Sequence, residues 1–153
     1  MQYIKPTEQA TSELLGMLYG GEVETKIADD VGTQGYSATF INPENELVAA
    51  CVCDPAMVIL SGAALSMLPP GRAKEMLKDQ EFSKSVVENF HEVMNICTRL
   101  LVSNSTPHLK LQAVGPTTEM AASVDAVRGA ASSVSFELEI PKYGLGKIQF
   151  IVH

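Results

Sequence analysis

Glu88, Glu92, Asn95 and Arg99 follow one another at spacings of four, three and four residues. On a helix, at about 100° per residue, they stack along one line. Glu92 and Asn95 are then neighbours one turn apart. The chemistry such a pair offers is orientation. A carboxamide accepts a hydrogen bond through its C=O and donates through its NH2, so it can hold a water in place. The carboxylate beside it supplies charge. Neither residue serves helix stability well. Asn is a poor helix former at an exposed position. Glu88 and Glu92 form a like-charge i,i+4 pair, unfavourable by roughly 0.2–0.5 kcal/mol. A plain solvated helix surface shows the same kind of stripe, and spacing alone does not separate the two readings.

The helix that must carry the stripe is predicted from about Glu81 to Ser103. Phe82, Val86, Val87, Phe90, Val93, Met94, Cys97, Leu100 and Leu101 recur at three and four and form an apolar face nearly opposite the polar line. Pro107 lies beyond its end. Upstream, Thr7 to Tyr19 reads as a capped helix stopped by Gly20-Gly21. Glu22 to Ala28 alternates as a half-buried strand, and Gln34 to Ile41 is a second strand. Leu47 to Cys53 is a third, apolar on both faces and therefore central. Asp54-Pro55 opens a helix running to about Met67, ended by Pro69-Pro70-Gly71. A short charged piece spans Arg72 to Gln80. Downstream of the long helix, Leu109 to Val114 reads as a strand and Thr117 to Ala130, small and polar, as a loop. Val134 to Ile140 and Lys147 to Val152 alternate as two strands, with Gly144-Leu145-Gly146 as their hairpin connection. Each half thus supplies a helix and three strands, which points to duplication of one unit within a single domain over residues 1–153. Hairpin strands with segregated helices predict a two-layer α+β fold.

Composition narrows the function classes. The chain has 153 residues, 46% hydrophobic and 19% charged, with a formal net charge of −7. That acidity argues against nucleic acid, which needs clustered Lys and Arg. The N-terminus shows no signal-peptide pattern and the longest apolar run, Ala56 to Leu60, is far too short for a membrane span, so the expectation is a cytoplasmic protein. Cys51, Cys53 and Cys97 give neither a disulfide framework nor zinc spacing and read as buried thiols. His91, His108 and His153 are present, but no G-x-S-x-G elbow supports a Ser–His–Asp hydrolase. No His/Asp/Glu cluster has metal-ligand spacing, and the GxG at 144–146 precedes no helix and so is no phosphate loop.

Glu88-x-x-x-Glu92-x-x-Asn95 with Pro116 about twenty residues on resembles the active-site signature of the CheC/CheX/FliY phosphatases. In that family an Asp or Ser precedes the Glu by four and the Asn follows it by three. Here Glu88 stands at the Asp/Ser position, and Val93, Met94, Ile96 and Cys97 surround the Asn where CheX-like proteins carry small residues. The resemblance implies one largely antiparallel sheet with helices on one face and two pseudo-symmetric halves. The first helix offers Gln9-x-x-x-Glu13-x-x-Gly16, with Gly where Asn would be needed. One working site is therefore expected, as in CheX.

The resemblance further implies a chemotaxis-type phosphatase acting on the aspartyl phosphate of a CheY-like response regulator. Its catalytic residues would be Glu92 and Asn95, with Glu88, Arg99 and Pro116 contacting the partner. No cofactor of its own is implied, because the phosphorylated receiver brings Mg²⁺. Edge strands and the likeness to CheX suggest a homodimer. The competing expectation is a non-catalytic receiver-binding or scaffold module of the chemotaxis or flagellar-switch system.

Overall fold

A computed structural model describes residues 3–129 and 132–153. Helix α1 (Glu8–Tyr19) is capped by Thr7, whose side chain accepts from the Ala10 N–H at 3.1 Å, and ends on Gly20 in the left-handed conformation. Strands β1 (Glu24–Ile27), β2 (Tyr36–Ile41) and β3 (Leu47–Cys53) follow. Helices α2 (Pro55–Leu65) and α3 (Pro70–Lys78) lead to the long helix α4 (Lys84–Leu101), capped by Ser83. Strand β4 (Lys110–Pro116), helix α5 (Ala121–Arg128) and strands β5 (Ser132–Ile140) and β6 (Gly144–Val152) complete the chain.

The strands form one antiparallel sheet in the order β1-β5-β6-β3-β2-β4. Read backwards, with each strand exchanged for its counterpart three places along the chain, the order is unchanged. The two halves are therefore related by a pseudo-two-fold between β3 and β6, and each half lends its first strand to the other half's hairpin. The duplication expected from the sequence is present in this form.

β3 is central, and alternate residues point to opposite faces. Ala49, Cys51 and Cys53 join the main core with Phe40, Phe90, Met94, Phe136 and Phe150 under α1, α2 and α4. Ala50 and Val52 face the other way and pack with Ile151, Val124 and Val127. Those last two valines belong to α5, so the segment read as a loop holds a helix that covers part of the second face. The misreading has a physical source: α5 is eight residues long and small, and only Val124 and Val127 mark its inner side. Ala130, the end of that predicted loop, lies outside the described residues.

Two further differences are local. The β5–β6 turn is formed by residues 141–143, and Gly144 already begins β6. Gly146 lies within β6, paired with Leu138, where α2 comes so near that a Cβ would meet Met57 Cα at 2.8 Å. β1 is shorter than its alternation suggested, and Ile27 is 62% exposed at the sheet edge. The charged piece after α2 forms α3, whose Met76 packs with Ile59 of α2 and Val86 of α4.

α2 and α4 come close at Gly62, where a Cβ would meet the Val86 carbonyl at 2.5 Å. Gly62→Ala should therefore force the helices apart and cost about 1–3 kcal/mol. Gly71→Ala, in α3 with nothing near its missing Cβ, should stabilise by about 0.4–1 kcal/mol. Urea unfolding of both variants checks the contrast.

Asp54 caps α2 and also ties it to β6, its Oδ1 accepting from the Met57 N–H at 2.8 Å and the Lys147 N–H at 3.0 Å. Burial outweighs these bonds and raises its carboxyl above the ordinary 3.8. The folded state then binds that proton more tightly than the unfolded chain. This group's contribution to stability is fullest below 3.8 and declines as pH rises through the raised folded value. Asp54→Asn keeps the cap and should remove that pH dependence, whereas Asp54→Ala should cost about 1–2 kcal/mol. Denaturant titrations across acidic to neutral pH measure both.

Candidate functional site

The rotation of α4 decides what it shows to solvent. Val86, Phe90, Val93, Met94, Cys97, Leu100 and Leu101 are buried against the sheet and α2. Asn89, on the flank between the two faces, donates from Nδ2 to the Gly62 carbonyl of α2 at 2.9 Å. This anchor was not read from the sequence. Its only signal there is a polar residue at the boundary of the apolar stripe.

With the inner face fixed, Glu88, Glu92, Asn95 and Arg99 are all exposed on the outer side of the helix. Glu88 lies 4.0 Å from Lys84 in an exposed pair, an interaction of little energetic weight. Among the described residues, the side chains of Glu92, Asn95 and Arg99 make no hydrogen bond or ion pair. The Asn95 backbone carbonyl accepts from Thr98 Oγ1 at 2.7 Å, so the carboxamide itself stays free to bind something else. Arg99 lies in the last turn, where a cation also suits the helix dipole.

Pro116 is not on this stripe. It ends β4 opposite Tyr36, whose ring lies tilted 5.0 Å from Phe82 and edge-on 6.3 Å from Phe90. The Thr117 N–H donates to the Gly35 carbonyl, so the next pair along, Tyr36 and Pro116, is of the kind that exchanges no hydrogen bonds. The missing N–H of Pro116 thus faces outward on an edge strand, where a proline is tolerated. Its carbonyl accepts from the Glu119 and Met120 N–H groups and starts the turn into α5.

The first-half counterpart differs in chemistry and packing. Gln9 donates to Glu13 at 3.0 Å, so those two side chains are engaged with each other. Gly16 sits where a Cβ would meet the Gly21 carbonyl at 3.0 Å, and its own carbonyl accepts from the Gly20 and Gly21 N–H groups. The position that is Asn95 in α4 is thus built into the helix-ending turn in α1.

Other chemistry-bearing residues are scattered or inert. His91 is exposed on α4, Tyr3 donates to the carbonyl of His108, and the His153 ring contacts the Val127 carbonyl at 2.9 Å. Cys51, Cys53 and Cys97 are fully buried, and burial pushes the Cys97 thiol up to about 12 and the other two well above the ordinary range. Such thiols are poor nucleophiles. Among the described residues no group of three His, Cys, Asp or Glu side chains is arranged to hold a metal ion, and no helix is long and apolar enough to cross a membrane.

The chain is thus a six-stranded antiparallel sheet made by strand exchange between halves, with a bare polar stripe on its longest helix. No protein-family model matches the chain, and no curated protein does. Solved structures do. A chain of the H. pylori FliM–SpeE complex is 10% identical, with 95% of this chain and 80% of that one covered at a TM-score of 0.52. The H. pylori FliM middle domain is 11% identical over 95% and 84%, at 0.51. The CheX–CheY–BeF3–Mg complex from Borrelia burgdorferi supplies a match 12% identical over 95% and 94%, at 0.42. Structures of FliY, of a second CheX and of a CheC-like protein are matched as well. At these identities the likeness is one of fold, and of these matches those with a TM-score above 0.5 are to FliM chains.

Because Glu92 and Asn95 are exposed and carry no internal bonds, Glu92→Ala and Asn95→Ala should each change folding stability by no more than about 0.5 kcal/mol. Thermal and urea unfolding of the purified variants test this.

Proposed function

We propose that this chain promotes hydrolysis of the aspartyl phosphate of a CheY-like receiver domain, as a chemotaxis-type phosphatase, with Glu92 and Asn95 as its working pair. The observation that carries the reading is the free carboxamide of Asn95 beside the free carboxylate of Glu92, one turn apart on a helix whose inner face is locked.

An aspartyl phosphate is an acyl phosphate. Water attacks phosphorus in line, the bond from phosphorus to the aspartyl oxygen breaks, and inorganic phosphate leaves. The receiver brings Mg²⁺ and a Lys to the phosphoryl oxygens. What remains to be supplied is a correctly placed water, and placement alone is worth much of a barrier. A neutral carboxamide can accept from that water and donate to it, as the glutamine of GTPases does. A carboxylate at the same position would repel the phosphoryl oxygens. Glu92 would pair with the receiver's Lys and fix the docking angle. Glu88 and Arg99, one turn out on either side, would meet the partner's rim. Pro116 takes no part in the chemistry in this reading.

A second reading is favoured by one observation. Two of the fold matches, to chains of FliM complexes with SpeE and with FliG, are of proteins crystallised with binding partners. The same helix would then serve as a receiver-binding or scaffold surface without hydrolysis.

Loss of phosphate from a labelled receiver separates the two. Asn95→Ala should abolish most of the acceleration while leaving binding nearly intact, because the amide acts mainly in the transition state. Glu92→Ala should weaken both binding and turnover. An Asn95→Ala variant as active as the parent would remove Asn95 from the mechanism. A parent that binds receivers yet accelerates none of them would establish the scaffold reading.

A further inference from the structure

A groove of about 810 Å³ runs beside α1, between the helix and the chain that leads into β1. Ser12, Gly16 and Gly21, all half-buried, form its floor. No side chain rises from the two glycines, so the backbone of another chain can come close there. Where α4 presents the Asn95 carboxamide, α1 thus presents bare backbone at Gly16. Met17 stands on the rim and is 80% exposed, an apolar side chain able to adapt to what covers it. The long wall is the 12-residue helix α1, about 18 Å from end to end.

The rest of the rim is acidic. Glu8, Glu13, Glu22 and Glu24 line it. Among the described residues no Lys or Arg lines the groove, and none of the four carboxylates has a salt-bridge partner. Glu13 accepts from Gln9, a neutral group, and keeps its charge uncompensated. The surrounding chain is equally one-sided. Residues 7–30 hold six carboxylates and one lysine, and that lysine, Lys26, is engaged by Glu137 at 3.4 Å. Stability accounts for Glu8, whose charge suits the first turn of a helix. It does not account for Glu24, which lies directly opposite Glu139 on β5 as an unfavourable like-charge pair.

We propose that this groove docks an extended basic segment of a partner protein, about five or six residues long to match the helix wall. Its Lys or Arg side chains reach the four carboxylates, and an apolar side chain between them covers Met17. Charge complementarity selects this occupant, because a long open trough with uncompensated carboxylates on its rim fits a cationic chain. The surface belongs to the first half of the chain, away from the Glu92 and Asn95 pair. Its occupancy does not require the phosphatase reading to hold.

The test is an amide NMR titration of the intact protein with a hexapeptide of alternating Lys and Leu, capped at both ends. Saturable shifts at Ser12, Gly16, Met17 and Gly21 are expected. Replacing the peptide's Lys by Glu, or its Leu by Ser, should each weaken binding at least about tenfold. Glu13→Lys combined with Glu22→Lys should do the same. Glu44→Lys combined with Glu119→Lys changes the net charge equally at exposed positions outside the groove, and should leave affinity within about twofold. Met17→Ser should remove the preference for the Leu peptide over the Ser peptide. Absence of saturable shifts in the groove would overturn the proposal. So would equal weakening by the two charge-reversed pairs, since the peptide would then read net charge alone. Self-association of the protein that Met17→Ser abolishes and that excludes the peptide would overturn it too, assigning the groove to a second copy of this chain.

Discussion

The contact between α2 and α4 at Gly62 sets the geometry on which the rest depends. The helices meet so closely there that the Val86 carbonyl occupies the space a side chain would need. Asn89 fastens the same turn of α4 to the Gly62 carbonyl. Close contact on one side and a directional bond on the flank together prevent α4 from rolling. The apolar face then has one place to go, and the polar stripe is held outward without any interaction of its own. A site that must present groups to another molecule gains from this arrangement, since nothing inside the protein competes for the Asn95 carboxamide.

The sheet reinforces that rigidity by its connectivity. β1 pairs with β5 and β4 pairs with β2, so neither half closes its own sheet. The two ends of α4 are tied into this exchange. Tyr36 on β2 packs against Phe82 and Phe90 near the start of the helix, and the Ile4 N–H donates to the Leu101 carbonyl at its end. Movements of α4 relative to the sheet would disturb contacts drawn from both halves of the chain.

Much of this was legible in the residues. The period of α4 placed Phe90, Met94 and Cys97 inside and Glu92 and Asn95 outside, because a helix packed on one side has a single apolar stripe. The caps at Thr7 and Asp54 and the double-sided burial of β3 were equally readable. α5 was missed, although a signal for it existed. A strand apolar on both faces needs cover on both, and Ala50, Val52 and Ile151 required something the predicted helices did not supply. Pro116 was legible as a motif element. Its place at the end of an edge strand, in register with Tyr36, follows from pairing that no local pattern encodes.

The palindromic strand order has a consequence for each unit taken alone. The first unit by itself would have β1 with no hairpin beside it except one from another molecule. Two such copies could satisfy each other only by trading first strands, so a lone unit would be complete only as a strand-swapped homodimer. Within one chain the trade is intramolecular, and the two units need not be identical: one helix carries an asparagine where its counterpart carries glycine.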